Sequence, residues 1–188
     1  MKKRVFIIHG WSGYPGECWF PWLKKELLSR GFEVFVPNMP DAENPSINAW
    51  VSFLKKQVGK PDQNTYFVGH SIGCQAIMRY LQGIDSRIGG AVFVAAWFDL
   101  ENLETKEEER IAKPWIENPI DLAKVKANAK EIFSILSDND PFGALRKNKE
   151  NLAKLGKVII QKHKGHFSND EKMIMLPIAL KELLRIAE

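Results

Sequence analysis

The chain of 188 residues has two cysteines, Cys18 and Cys74, and neither their number nor their spacing suggests a disulfide framework or a zinc site. A reducing, cytoplasmic setting is the simplest one for such a sequence. No stretch approaches the roughly 20 apolar residues needed to span a bilayer. Met1-Lys2-Lys3-Arg4 followed by Val5 to Ile8 has the outline of a secretion signal, but His9 and Gly10 cut the apolar run short, and it reads as a first strand. No basic stripe emerges from the net charge of +4, because lysines are mixed with glutamates and Glu101 to Glu109 is acidic. That distribution argues against nucleic-acid and membrane partners. Linkers, internal repeats and low-complexity tracts are also missing, so the length fits one domain over residues 1–188.

An apolar fraction of 45%, with 11 Phe and 6 Trp, is ample for a sheet buried on both faces. Val5 to Ile8, Glu33 to Pro37, Thr65 to Val68, Gly90 to Ala95, Ile132 to Leu136 and Val158 to Gln161 are short runs rich in Val, Ile and Phe. They read as buried parallel strands. Helical patterns alternate with them at about Cys18–Arg30, Ile47–Val58, Ile72–Gln82, Gly143–Leu155 and Asp170–Ala187. The alternation predicts a compact three-layer α/β sandwich around a mostly parallel sheet of about six strands. Gly31 is placed for a left-handed helix end, and Ser46 and Asn169 or Asp170 for helix N-caps. Trp97 to Lys130 is irregular, interrupted by Pro114 and Pro119, and long enough for a small lid at about 97–130.

Gly69-His70-Ser71-Ile72-Gly73 lies between an apolar run and a helical pattern. A serine nucleophile on a sharp strand-to-helix turn needs that setting, with glycines relieving the crowding. Asp140 and His166 follow in the chain, each just after a predicted strand, so that serine, acid and base would converge on one crevice. His163 is a rival base and Asp138 a rival acid; Asp140 is favoured because Pro141 restricts it to an extended conformation. His70, on the elbow itself, should point into the fold. An oxyanion hole would use the backbone N–H of Ile72 and a second N–H, that of Trp11, from His9-Gly10-Trp11-Ser12-Gly13. Trp97, Phe98 and Trp115 are candidate pocket walls, with core packing the competing role. Trp19, Trp22 and Trp50, at helical spacing, are assigned to packing, as is Cys74.

These motifs resemble the small serine hydrolases of the YdeN and retinoblastoma-binding-protein-nine type, a compact branch of the α/β-hydrolases. The likeness runs nearly the whole length, through Trp22-Leu23-Lys24-Lys25-Glu26-Leu27, Asn38-Met39-Pro40-Asp41, the elbow, Met78-Arg79-Tyr80, Pro114-Trp115, Lys126-Ala127-Asn128, Asp138-Asn139-Asp140-Pro141-Phe142 and Gly165-His166-Phe167. It implies Ser71 as nucleophile, Asp140 as acid and His166 as base, with no metal or organic cofactor. The family's human member has been linked to retinoblastoma protein through a Leu-x-Cys-x-Glu segment, which this sequence lacks, so that partner is not implied. The expected activity is hydrolysis of small carboxylic esters through an acyl-enzyme. Amide cleavage on short peptides, or a protein-interaction role on a hydrolase scaffold, are the alternatives.

Overall fold

The structure is a computed structural model that describes residues 2–188; Met1, the start of the basic run, lies outside them. Six strands, β1 (Arg4–Ile8), β2 (Glu33–Phe35), β3 (Thr65–His70), β4 (Gly90–Val94), β5 (Ile132–Ser137) and β6 (Lys157–Gln161), form one sheet in the order β2-β1-β3-β4-β5-β6. Every neighbouring pair is parallel. Seven helices connect or flank them: α1 (Phe20–Leu28), α2 (Ile47–Val58), α3 (Ile72–Leu81), α4 (Lys106–Glu117), α5 (Leu122–Ala127), α6 (Leu145–Leu155) and α7 (Pro177–Ile186).

Alternation along the strands divides the core into two layers. Phe6, Ile8, Phe67, Ala91, Phe93 and Leu136 face a cluster with Trp50, Leu54, Ile77, Tyr80, Val125 and Leu152 from α2, α3, α5 and α6. Val5, Ile7, Val68, Val92, Val94, Phe133 and Ile135 point the other way, against Phe20, Leu23, Leu27, Ala179, Leu183 and Ile186 from α1 and α7. Covered on both faces, β3, β4 and β5 are buried throughout, which explains their mainly apolar sequences. The chain moves outward from β1 to β2 and then returns to build on the other side, so the order reverses between β1 and β3. The crevice beyond the carboxyl ends of those two strands is where such a sheet accepts a ligand.

Ser46 caps α2 by accepting from the Ala49 N–H, and Gly31 adopts φ +84 beyond α1, as the sequence suggests. The strand at Glu33 stops at Phe35, before Pro37, which has no N–H for the ladder. The last helix starts at Pro177, not at Asp170. Asn169 is occupied elsewhere, its Oδ1 accepting from the Cys18 N–H, while Ser168 and Glu171 bond within a local turn and Lys172 takes φ +52. The span 97–130 is more ordered than its prolines suggest. Thr105 and Glu108 form a reciprocal capping box for α4, and three successive glutamates occupy its favourable first turn. Pro114 sits inside α4, whose end is tied down by the Arg79 guanidinium, 2.8 Å from the Trp115 carbonyl and 2.7 Å from that of Asn118. Among the described residues, no helix is long and apolar enough to cross a membrane.

Candidate active site

Ser71 stands between β3 and α3 with φ 53 and ψ −125, a conformation that L-residues adopt only where the surroundings enforce it. Its N–H donates to the Val94 carbonyl at 2.9 Å, which ties the turn to β4. The flanking glycines are sterically required. A Cβ at Gly73 would lie 2.6 Å from the carbonyl oxygens of Ile8 and His9, and one at Gly69 would meet the Cys74 backbone and the Ile77 side chain.

His166 lies in the loop after β6. Its Nδ1 is 2.9 Å and 3.0 Å from the two carboxylate oxygens of Asp140, and both side chains are largely buried. Asp140 Oδ1 also accepts from the Phe142 N–H, and the Phe142 ring meets His166 edge-on at 5.2 Å. Asp138 has the other task. Its Oδ1 accepts from the His163 N–H, Ser137 Oγ accepts from that of Lys164, and Asn139 Oδ1 accepts from that of Gly165. Three consecutive side chains at the end of β5 therefore hold the loop that carries His166. Their sequence signal was the polar run Ser137-Asp138-Asn139, each residue a short acceptor of the kind that bonds backbone amides. His163 donates only through this scaffold, and its ring is not at the site.

The elbow histidine does point inward. His70 Nε2 donates to the His166 carbonyl at 2.7 Å and so supports the backbone of His166. Burial drives the His70 imidazole down to about 3, with the neighbouring His166 adding to the effect. His9 plays a comparable part in the loop after β1: its Nδ1 donates to the Gly10 carbonyl, and its Nε2 accepts from the Met39 N–H. Burial lowers its pKa also.

Ser71, His166, Trp11, Ile72 and Trp97 line one cavity of about 560 Å³. Within the described residues Ser71 Oγ makes no hydrogen bond to His166; it accepts instead from the Trp97 indole Nε1 at 3.3 Å. The Trp97 carbonyl is fixed by the Gln75 amide at 2.7 Å, so this tryptophan is both core and wall. Phe98 and Trp115 are not walls. Phe98 packs against the core while its N–H donates to Asn148, and Trp115, fully buried, crosses Trp50 edge-on and donates to the Pro45 carbonyl. The helical start at Lys106 turns Trp115 inward, where an irregular segment would have left it free to face the crevice. Leu100, Leu103 and Ile111 supply the apolar wall that Phe98 and Trp115 do not.

The backbone N–H groups of Trp11 and Ile72 make no hydrogen bond within the described residues, and Gly10 brings the first loop against the Ser71 side chain. Cys74 is buried with its thiol donating to the Val94 carbonyl at 3.5 Å, and burial pushes the thiol up, consistent with a packing role.

Comparison with known proteins places these features in a lineage. Residues 5–185 match the family described as serine hydrolase. The chain is 32% identical to YdeN of Bacillus subtilis over 182 residues, covering 95% of this chain and 93% of that one. It is 29% identical to the serine hydrolase RBBP9 of Rattus norvegicus over 156 residues, 81% and 80% of the two chains. The crystal structure of the ydeN gene product superimposes with a TM-score of 0.90 at 30% identity, covering 98% of each chain. A carboxylesterase structure from the Thaumarchaeon Nitrososphaera gargenis shares the fold at a TM-score of 0.72 and 14% identity, over 99% of this chain and 91% of that one. The six-stranded parallel sheet with its serine elbow is thus an α/β-hydrolase fold, and the chain belongs to the serine hydrolase family.

Proposed function

We propose that the protein hydrolyses small carboxylic esters by transferring the acyl group through Ser71 to water. Ser71 Oγ attacks the ester carbonyl carbon while its proton passes to His166 Nε2, and the imidazolium is stabilised through Nδ1 by Asp140. The backbone N–H groups of Trp11 and Ile72 receive the negative charge that develops on the carbonyl oxygen. Collapse breaks the bond to the alkoxy group, which leaves as the alcohol with the proton from His166. A water molecule then gives a proton to His166 and attacks the acyl carbon; the bond to Ser71 Oγ breaks as that oxygen takes the proton back from His166, releasing the acid and restoring Ser71 and the neutral imidazole.

The observation that carries this reading is the pairing of both Asp140 oxygens with His166 Nδ1, in a cavity that also holds the elbow serine. That contact fixes the tautomer in which Nε2 is free to accept a proton. The residues are read as one hydrolase domain whose segment 97–130 serves as a small lid, contributing Leu100, Leu103, Glu107, Glu108 and Ile111 to the cavity wall. A cavity of about 560 Å³ suits a short acyl chain and a small alcohol.

The test is hydrolysis of p-nitrophenyl acetate, butyrate and octanoate by wild type and Ser71→Ala. Turnover of the shorter esters is expected, with a loss of at least ~10³-fold in the variant. Equal rates for the two proteins would sink the proposal.

A further inference from the structure

The charge of the cavity wall is opposite to that of the protein. The chain carries a net +4, yet the cavity is lined by Glu17, Glu43, Glu107, Glu108 and Asp170 and by no lysine or arginine. These carboxylates come from separate places in the fold: the loop after β1, the loop before α2, the first turn of α4 and the loop after β6. Three of them are engaged. Glu107 pairs with Arg110, Glu108 closes the α4 cap, and Glu43 accepts from Ser12 Oγ.

Glu17 differs. It is half-buried and has no cation within ion-pair distance among the described residues. Burial raises its pKa, and only a backbone hydrogen bond at Tyr14, with no positive charge, acts against that rise. Placing a carboxylate in such a position without a cation is unfavourable unless something that enters the cavity neutralises it.

A second, independent feature points the same way. His70 lines this cavity and is 5% exposed, and because its Nε2 donates to the His166 carbonyl, its Nδ1 is an unprotonated acceptor. That nitrogen has no hydrogen-bond partner. The cavity therefore presents an unpartnered acceptor and an unpaired carboxylate, with no lysine or arginine in its lining.

We propose that this cavity selects esters bearing an ammonium group, with Glu17 as the residue that reads the positive charge. The inference rests on the serine hydrolase reading of Ser71 and names its substrate class. An acidic cleft with low-dielectric walls concentrates cations and holds them near the nucleophile, and the effect weakens as salt rises.

Two pairs of near-isosteric esters test it. Dimethylaminoethyl butyrate and isoamyl butyrate differ by an N–H⁺ in place of a C–H in the alcohol. The p-nitrophenyl esters of dimethylaminobutyric and isoheptanoic acid carry the same change in the acyl chain. Rates at neutral pH are each divided by the spontaneous rate. For at least one pair, kcat/KM should favour the cationic ester by about tenfold or more at low salt, and the ratio should fall as salt is raised. In Glu17→Gln that ratio should collapse toward unity, whatever happens to the absolute rates. The wild-type salt series tests the same selectivity without any variant. Ratios at or below unity for both pairs would overturn the proposal. So would a cation preference that Glu17→Gln leaves intact. If no ester is turned over while Ser71 still reacts with a fluorophosphonate, protection of that labelling by dimethylaminoethanol, but not by isoamyl alcohol, supports cation selection, and equal protection overturns it. Failure of Ser71 to react removes the hydrolase reading on which the inference stands.

Discussion

The indole N–H of Trp97 donates to Ser71 Oγ at 3.3 Å, so the elbow serine is bonded to a tryptophan and not to its histidine. The hydroxyl has two lone pairs, and a hydrogen bond to one of them draws electron density from the oxygen and lowers its nucleophilicity in the ground state. A neutral hydrogen bond contributes on the order of 1 kcal/mol. Trp97→Phe, which keeps an aromatic ring, should therefore speed fluorophosphonate labelling of Ser71 by about two- to tenfold. Slower labelling by a correctly folded variant would show that the indole N–H assists the attack.

Two aspartates two residues apart should separate cleanly. Asp140 holds the His166 imidazole, whereas Asp138 accepts from the His163 backbone. Asp140→Asn should lower kcat by about 10⁴-fold, as expected when a triad histidine is held in the wrong tautomer. Asp138→Ala, which removes the acceptor for the His163 N–H, should leave kcat within a few-fold and cost about 1 kcal/mol in urea unfolding. The opposite ranking of the two in ester turnover would reassign the acid.

His70 should make the fold sensitive to acid. Its imidazole is held neutral down to about 3, while in the unfolded chain it binds a proton near the ordinary value of 6.5. Below that value the unfolded state binds more protons than the native one, so stability falls as pH drops from 6.5 toward 3 and is unaffected by this group above 6.5. One such histidine contributes up to about 1.4 kcal/mol per pH unit. His9, also lowered by burial, adds in the same direction. Urea midpoints at pH ~7 and ~5 should therefore drop less in His70→Asn than in wild type, and equal drops would contradict the assignment.

The elbow should not tolerate a methyl group. At Gly73 a Cβ would be 2.6 Å from two backbone carbonyl oxygens, neither of which can move without displacing the end of β1. Gly73→Ala should cost about 1–3 kcal/mol by thermal unfolding and should reduce Ser71 labelling with it. An unchanged melting temperature would mean that the turn is looser than its geometry implies.

Much of this was legible in the residues. Short β-branched and aromatic runs mark all six strands because the sheet is covered on both faces, and α2 runs from Ile47 to Val58 as its cap and periodicity indicate. Ser71, Asp140 and His166 could be singled out because each comes shortly after a strand. What escaped depends on contacts distant in sequence. Asn169 looks like a helix cap, but its side chain is engaged by Cys18, 151 residues away. Trp115 reads as a pocket aromatic only until α4 forms and rotates it into the core. The acidic wall draws on Glu17, Glu43, Glu107 and Asp170, which no local pattern connects. The Trp97 bond to Ser71 likewise spans two strand ends that only the sheet order brings together.

The central claim is that Ser71 is a nucleophile activated by the His166–Asp140 pair. Its most direct test is intact-mass analysis after treatment with a fluorophosphonate, comparing wild type with Ser71→Ala and His166→Ala. The account predicts one adduct on wild type, mapped by peptide analysis to Ser71, with none on Ser71→Ala and labelling slowed by at least ~10²-fold in His166→Ala. A folded wild-type protein that gains no adduct, or one modified at a residue other than Ser71, would contradict it.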